Sequence, residues 1–561
     1  MNSPGPALGP RIVADLIVAD LQRFPQAGRE QVREDSALIQ ALRRPQAYGH
    51  PVEAITVLET HISWVLLTGA VAYKIRKPVD LGFVNFTTLE LRLHDCREEL
   101  RLNRRLVSDL YLGLAAVVPT EQGPSLQELA EDTSDGEILR TAPLEVAVRM
   151  RQFPQEALLP AALARGEVGG EQIAALADTL ARFHAAAAVA PATGPYGTPA
   201  AVREPVEANV ACLRQRAAAE LQGRIERLAA WNRTAFAELE PLLLRRLEQG
   251  RVRECHGDLH LGNMLLRNGR IEVFDCLEFS PALRWIDVIS DLAFLVMDLQ
   301  QRGQPALGAR LLNHWLDLSG DHGGLALWRW YQSYRALVRA KVAALSGDGS
   351  ADGPVAAYLD LAKASITPAP QALLICHGLS GSGKSHHSAP LAAELGAIHL
   401  RSDVERKRMF GLWGIPAGPR RQGDLYGRQV SEELFGQRLP ELAAQVLAAG
   451  FSVIVDACFL RRGDRAAMAA VAGRAGVPLL ILEFSAPQAL LRERIEQRQR
   501  RGHDPSDADL AVLELQRGWD EPLDAGERQQ AIPVGPASAV EASAAAVRRR
   551  WRLALREPGQ P

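Results

Sequence analysis

Apolar residues follow one rhythm in the first 345 residues of this chain and another after about residue 370. Residues from about 11 to 45 carry apolar positions at helical spacing behind a Pro- and Gly-rich start. Between Ile55 and Ile75, the residues Val57, Ile62, Val65, Leu66, Leu67, Val71 and Tyr73 fall in short runs broken at Thr68 and Gly69. That pattern predicts paired antiparallel strands. Residues 88–107 place Leu89, Leu93, Cys96, Leu100 and Leu106 at helical spacing. Residues 144–150 read as another strand. A long helical region follows from about 170 to 250, then short β-like pieces at 264–266 and 271–274, then helix again from about 284 to 345.

The stretch SGDGSADG over 346–353 holds only small and acidic residues, and ITPAP at 366–370 follows a short helix. These two breaks place a linker at 346–371, between a domain at 1–345 and a second at 372–561. Beyond the linker, the apolar runs at 373–376, 453–455 and 479–482 alternate with helical stretches. Short continuous apolar strands between helices predict a parallel α/β sheet.

Composition narrows the class. Lys+Arg is 64 and Asp+Glu is 66, a formal charge of −2. This balance argues against a nucleic-acid-binding protein. Six scattered cysteines form no CxxC pair and no disulfide framework, which suits a reducing, cytoplasmic setting. No run has the ~18–20 apolar residues that a membrane span requires. The N-terminal apolar stretch is interrupted by Asp15 and Asp20 and lacks a basic start, unlike a secretory signal.

Two motifs carry chemistry. The first is Gly378-Leu379-Ser380-Gly381-Ser382-Gly383-Lys384-Ser385, a full GxxxxGK[ST] match after a strand-like run and before a helical one. Glycines let backbone amides converge on phosphate oxygens, Lys384 neutralises their charge, and the Ser385 hydroxyl suits Mg²⁺. Pro390, about two turns into the next helix, predicts a kink or a short first segment there. Asp456 ends the apolar strand 453–456 and suits the magnesium through water. Asp403 follows the apparent second strand (397–400), where it can position or deprotonate a hydroxyl; a helix N-cap is the alternative. Arg494 and Arg498, one turn apart, suit a lid over transferring phosphate, or else a solvated charged helix.

The second motif is His256-Gly257-Asp258-Leu259-His260-Leu261-Gly262-Asn263. It sets Asp258 five residues before Asn263, the spacing of the kinase catalytic loop. Asp275 stands twelve residues further on, at the end of an apolar run. A hairpin would return it beside Asn263, giving two oxygen ligands for Mg²⁺ while Asp258 orients an attacking hydroxyl. Upstream, Lys74 ends a β-like segment and can hold the α/β phosphates. Glu98 or Glu99 can pair with it, and Glu99 is preferred because it shares a helical face with Cys96. Residues 150–153 suit an inter-lobe hinge. Glu278 reads mainly as structural, His184 as a packed helix histidine, and His260 as a neutral hydrogen-bonding group.

The HGDLHxxN loop and its following aspartate resemble the aminoglycoside phosphotransferase family over about residues 30–345. Residues from about 372 to 545 resemble the P-loop small-molecule kinases, among them gluconate kinase, shikimate kinase, polynucleotide 5′-kinase and zeta-toxin-like proteins. The first resemblance implies an α+β, bilobal protein-kinase-like fold; the second implies an α/β core of about five parallel strands with a helical lid. Asp291 matches the first family's Asp-Leu-Ala element, read as bracing the catalytic loop. The chain departs from protein kinases in reading FDCLEF in place of DFG, and residues 60–64 stand where a GxGxxG turn would cover the phosphates.

Together the resemblances imply a bifunctional, Mg-ATP-dependent kinase of small-molecule hydroxyl acceptors. Two alternatives stay open. One domain could bind ATP only to regulate the other, or the second domain could be a nucleic-acid 5′-kinase using its clustered arginines.

Overall fold

The computed structural model describes residues 37–554 apart from 61, 83, 347–351, 423, 502–505 and 507. Most of the helical region expected over 11–45, and His61 of the 60–64 turn, lie outside the described residues. Contacts divide the chain into two compact units, each discontinuous in sequence. The first takes the chain up to Gln172, Ala186–Asp298 and Trp330–Ser365. The second takes Ile173–Ala185, Leu299–Arg329 and the chain from Ile366 onward. Within the stretch read as a linker, Asp352–Ile366 is a helix.

In the first unit, β1 (Thr56–Glu59), β2 (Ser63–Leu67), β3 (Val71–Arg76), β4 (Tyr111–Val118), β5 (Ser125–Glu128) and β6 (Glu145–Arg151) form one sheet. Its order is β1-β2-β3-β6-β4-β5, and every pair is antiparallel. The sequence pattern marks β1–β3 and β6 but not β4 or β5. Six of the eight residues of β4 are buried, so it lacks the polar alternation of a strand with one wet face. The helix Leu89–Asn103 packs Leu93, Cys96 and Leu100 against Tyr111, Leu114, Val146 and Val148. Its first turn is closed by the Thr88 hydroxyl, which accepts from Leu91 N, a cap worth about 1 kcal/mol.

Two long helices follow, Pro199–Arg216 and Gln222–Glu248. Then come β7 (Val252–Glu254), β8 (Met264–Arg267), β9 (Arg270–Val273) and β10 (Trp285–Asp287). β8 and β9 form the expected hairpin, pairing Met264 with Val273. β7 pairs with β10, two strands too short for a sequence period to reveal.

In the second unit, β11 (Leu373–His377), β12 (Ile398–Arg401), β13 (Val453–Asp456), β14 (Leu479–Phe484) and β15 (Ala531–Val534) form a five-stranded sheet. Its order is β12-β13-β11-β14-β15, and all pairs are parallel. β11 and β13 are buried at every residue, which is why they read as unbroken apolar runs. β12 is an edge strand, and an edge leaves ladder groups unpaired. Asn313, on the helix Pro305–Ser319, covers it: Nδ2 donates to Ala397 O at 2.9 Å, and Oδ1 accepts from His399 N at 2.7 Å. That contact gives one physical reason why residues 299–329 group with this sheet. The helix after the P-loop, Lys384–Leu395, continues through Pro390 instead of ending there.

No described helix is long and apolar enough to cross a membrane. All six cysteines are free thiols.

Candidate active sites

β3 and the helix Leu89–Asn103 meet at a buried ion cluster. Lys74 Nζ lies 2.9 Å from both Glu99 Oε1 and Asp275 Oδ1. Burial disfavours the Lys74 ammonium, but Asp275 and Glu99 outweigh it and hold its pKa above that of a free lysine. Of the two glutamates weighed from sequence, Glu99 makes this pair; Glu98 turns to Arg101 and Arg284.

Arg76, two residues along the same strand and so on the same face, was not foreseen. Its guanidinium reaches Glu99 Oε2 at 2.6 Å and Asp95 Oδ2 at 2.5 Å, and it also bonds Glu278. Burial pushes the Glu278 carboxyl up, against the pull of Arg76. Arg76 thereby ties the helix, the strand and the segment after Asp275 into one network, a role that alternation along β3 could have suggested.

The loop 256–263 is held from several directions. The Asp291 carboxylate accepts from the amides of His256 and Gly257, both at 3.1 Å, which is the bracing read from sequence. Asp258 N donates to His256 Nδ1 at 3.2 Å, so the ring proton sits on Nε2, 2.9 Å from Phe274 O. Gly262 N likewise donates to His260 Nδ1 at 3.0 Å, leaving Nε2–H 3.4 Å from Asp258 Oδ2.

Asn263 Nδ2 donates to Asp258 Oδ2 at 2.9 Å, and Phe274 N donates to Asn263 O at 3.0 Å. The hairpin thus brings Asp258, Asn263 and Asp275 to one place. Asp258 Oδ1 is buried with no hydrogen-bond partner. Burial favours the neutral acid, yet His260, His256 and Arg339 outweigh it and hold Asp258 below the usual carboxylate range. It is ionised at neutral pH and has one free oxygen for a hydroxyl proton.

Asp275 has φ +61°, a left-handed conformation that costs a non-glycine residue about 1 kcal/mol or more. Neighbouring bonds hold it: Asp275 N donates to Tyr111 Oη at 3.2 Å, and Cys276 N donates to Asn103 Oδ1 at 2.8 Å.

In the second unit, the P-loop follows β11 and lines a cavity of about 1240 Å³. Gly378 has φ +145°, and a Cβ there would lie 2.5 Å from Phe484 O; at Gly381, φ is +81° and the clash would be 2.7 Å from Leu491 O. Both positions require glycine for backbone angle and for space. Ser380, Gly381, Gly383, Lys384, Ser385, Asp403, Asp456, Arg494 and Arg498 all line the cavity. Gly378 lies at the start of the loop, and the Ser382 hydroxyl is buried without a partner. Lys384 Nζ donates to Gly378 O at 2.9 Å and Leu379 O at 2.8 Å.

Asp456 ends β13. Burial would raise its pKa, but His399, Arg401 and the Ser385 hydroxyl hold it at about 2. His399 Nε2 lies 3.4 Å from Asp456 Oδ2 and 2.9 Å from Ser388 Oγ. Asp403 lies in the first turn of the helix Ser402–Met409, whose N-cap is Arg401, so Asp403 faces the cavity and is not the cap.

Arg406, Gln516 and Trp519 are among the cavity residues that escaped the sequence reading. Arg406 is buried against Tyr426 with its Nε unpartnered. Gln516 Oε1 accepts from Ser380 N at 2.8 Å. Trp519 packs under the Arg461 guanidinium. None sits in a motif, and only folding brings residues 406, 516 and 519 to the loop at 378–385.

Two family models match the chain, and the first runs through residues 173–185 and 299–329, which contacts group with the second unit. A family model described as the phosphotransferase enzyme family matches residues 94–331, and one described as an AAA domain matches residues 373–523. The uncharacterized protein Rv2004c of Mycobacterium tuberculosis is 30% identical over 481 residues, covering 84% of this chain and 92% of that protein. The chain belongs to the family of that mycobacterial protein. This chain joins a phosphotransferase-type domain to a P-loop kinase-like domain, and it is a phosphotransferase enzyme.

Among solved structures, a choline/ethanolamine kinase family protein from Mesorhizobium loti is 14% identical, covering 64% of this chain and 98% of its own, with a TM-score of 0.36. A gluconokinase from Sinorhizobium meliloti is 20% identical, covering 33% and 95%, with a TM-score of 0.24.

Proposed function

We propose that this chain is a bifunctional phosphotransferase that moves the γ-phosphate of ATP to hydroxyls of two small-molecule acceptors, one in each unit. The observation that carries the reading is the duplication of parts. Each unit holds its own lysine, its own pair of hard oxygen ligands and its own ionisable carboxylate where a hydroxyl would stand.

In the first unit, Lys74, set by Glu99, takes the phosphates. In the second, the amides of 378–385 with Lys384, Arg494 and Arg498 take them. Asn263 with Asp275, and Ser385 with Asp456, fit magnesium by donor chemistry: all offer hard oxygens, and the Ser385 hydroxyl helps hold Asp456 ionised. The ion, when bound, supplies charge neutralisation on the phosphates.

The chain's residues do the rest by position and charge. Asp258 or Asp403 orients the acceptor hydroxyl. The hydroxyl oxygen bonds to the γ-phosphorus, the bond to the bridging oxygen breaks, ADP leaves, and the proton passes to the carboxylate. Free thiols throughout suit a cytoplasmic setting.

The test is a transfer screen with labelled ATP over metabolite pools, reading products by mass spectrometry. Asp258→Asn should remove one product and Lys384→Ala a different one, each by roughly 10²–10⁴-fold. If one substitution removes every product and the other only alters its amount, one unit regulates the other and bifunctionality is wrong.

A further inference from the structure

The cavity of the second unit has an apolar wall that its phosphate machinery does not use. On the helix Leu510–Trp519, Val512, Leu515, Gln516 and Trp519 fall at i, i+3, i+4 and i+7, and all four line the cavity. Leu513, on another face, is buried with Leu491 and Ile495. An apolar stripe at this spacing ordinarily turns into a core. Here Leu515 is 57% exposed and Trp519 is 41% exposed. Uncovered apolar side chains standing together inside a cleft mark a surface that a ligand covers.

The position of the wall indicates which ligand. β12 and β13 lie to one side of β11, with β14 and β15 on the other. Trp519 belongs to the β13 side. Arg461, five residues past the end of β13, sets its guanidinium 5.0 Å from the Trp519 ring. Glu521 N donates to Leu460 O at 3.0 Å. Gln516 pins the same helix to the phosphate loop through Ser380 N, and its Nε2 donates to Cys458 Sγ at 3.4 Å. The wall therefore runs from the phosphate loop to the exit of β13. Asp403, at the end of β12, is on that same side, where the attacking hydroxyl must stand.

We propose that this helix is the acceptor wall of the second unit, and that its acceptor is an alcohol carrying a planar, apolar ring. The ring packs on Trp519 and Leu515 beside Arg461. The proposal rests on reading the P-loop cavity as a phosphoryl-transfer site. The acceptor oxygen bonds to the γ-phosphorus as the bond to the bridging oxygen breaks, the proton goes to Asp403, and ADP leaves.

The test uses the full chain, labelled ATP and two acceptor sets: nucleosides and aryl alcohols, against sugar acids and alditols. Comparison with Lys384→Ala isolates the second unit's share. Lys384-dependent transfer should be confined to the ring-bearing set. Trp519→Ala should raise the KM for those acceptors by roughly tenfold, the size of one lost stacking contact. Nucleotide affinity should stay within about twofold, the split expected when only acceptor binding is lost. Leu515→Ala should shift the same KM less. Both side chains are half-exposed, so a failure to fold does not imitate this split.

Three results overturn the proposal: Lys384-dependent transfer to sugar acids or alditols that ignores Trp519→Ala; a Trp519→Ala loss that falls on nucleotide binding, which would make this the nucleotide's wall; or nucleotide binding with no Lys384-dependent transfer to any ring-bearing alcohol. Absence of Lys384-dependent nucleotide binding is a separate outcome, and it overturns the reading of the site itself.

Discussion

Lys74 and Lys384 are assigned the same task in opposite surroundings. Lys74 sits between two carboxylates, with Arg76, Asp95 and Glu278 packed behind it. Lys384 donates to two backbone carbonyls, which bear no net charge. On the function proposed above, the first unit builds its phosphate site by balancing buried charges across three segments of chain. The second builds it from backbone geometry within eight residues. A charge-balanced site depends on every member of its network, because an ion left alone in a low-dielectric interior is costly. A backbone site depends on glycines and on the sheet beneath them.

The largest expected effect breaks the network at its centre. Arg76→Met leaves Asp95, Glu99 and Glu278 facing one another without their cation. It should cost about 3–5 kcal/mol of stability in the first unit, read by denaturant unfolding. The second unit's nucleotide affinity should be untouched. Equal loss at both sites would show that the two are not independent.

Chelating divalent ions sharpens the contrast. Asp275 already takes part of the Lys74 charge, so nucleotide binding in the first unit should fall by roughly 100-fold, about 2.8 kcal/mol. The P-loop amides and Lys384 should limit the second unit's loss to about tenfold or less. Calorimetry with and without chelator, on Lys74→Ala and Lys384→Ala, reads each site in turn.

The smallest effect concerns pH. Burial would raise the Glu254 carboxyl, but Arg101, Arg284 and Arg105 hold it at about 2. A depressed carboxylate contributes stability above its unfolded value, about 4.3, and loses it as the pH falls toward 2. Glu254→Gln should therefore be most destabilising at neutral pH. Its difference from wild type should shrink below about pH 4.3, as thermal unfolding across pH would show. A gap that stays constant over that range would mean Glu254 acts by packing alone.

Legibility in the sequence followed the same division. Gly378, Gly381 and Lys384 were readable because eight consecutive residues do the work, and local spacing survives folding. Asp258 and Asn263 were readable for that reason, and Asp275 because one hairpin returns it. Lys74 was read as the polar end of a strand, although the strand runs on to Arg76, and Glu99 was read from its helical face. Arg76 sits on the face of Lys74 but carries no motif, so its three carboxylate partners stayed hidden. β4 lacked alternation because it is buried on both faces, and β7 and β10 were too short to show a period. The grouping of 299–329 with the P-loop sheet was also invisible, since it depends on Asn313 reaching an edge strand 84 residues away.

By itself, then, the sequence determined the kind of chemistry: two phosphate-handling motifs, their order, and the strands and helices that present them. These are local facts, set by backbone stereochemistry and by the period of apolar residues. Only the tertiary structure decided which charges neutralise which, what covers β12, and what wall stands across from the P-loop. Those depend on distances between residues far apart in the chain, and such distances exist only once the core has closed and shut out water.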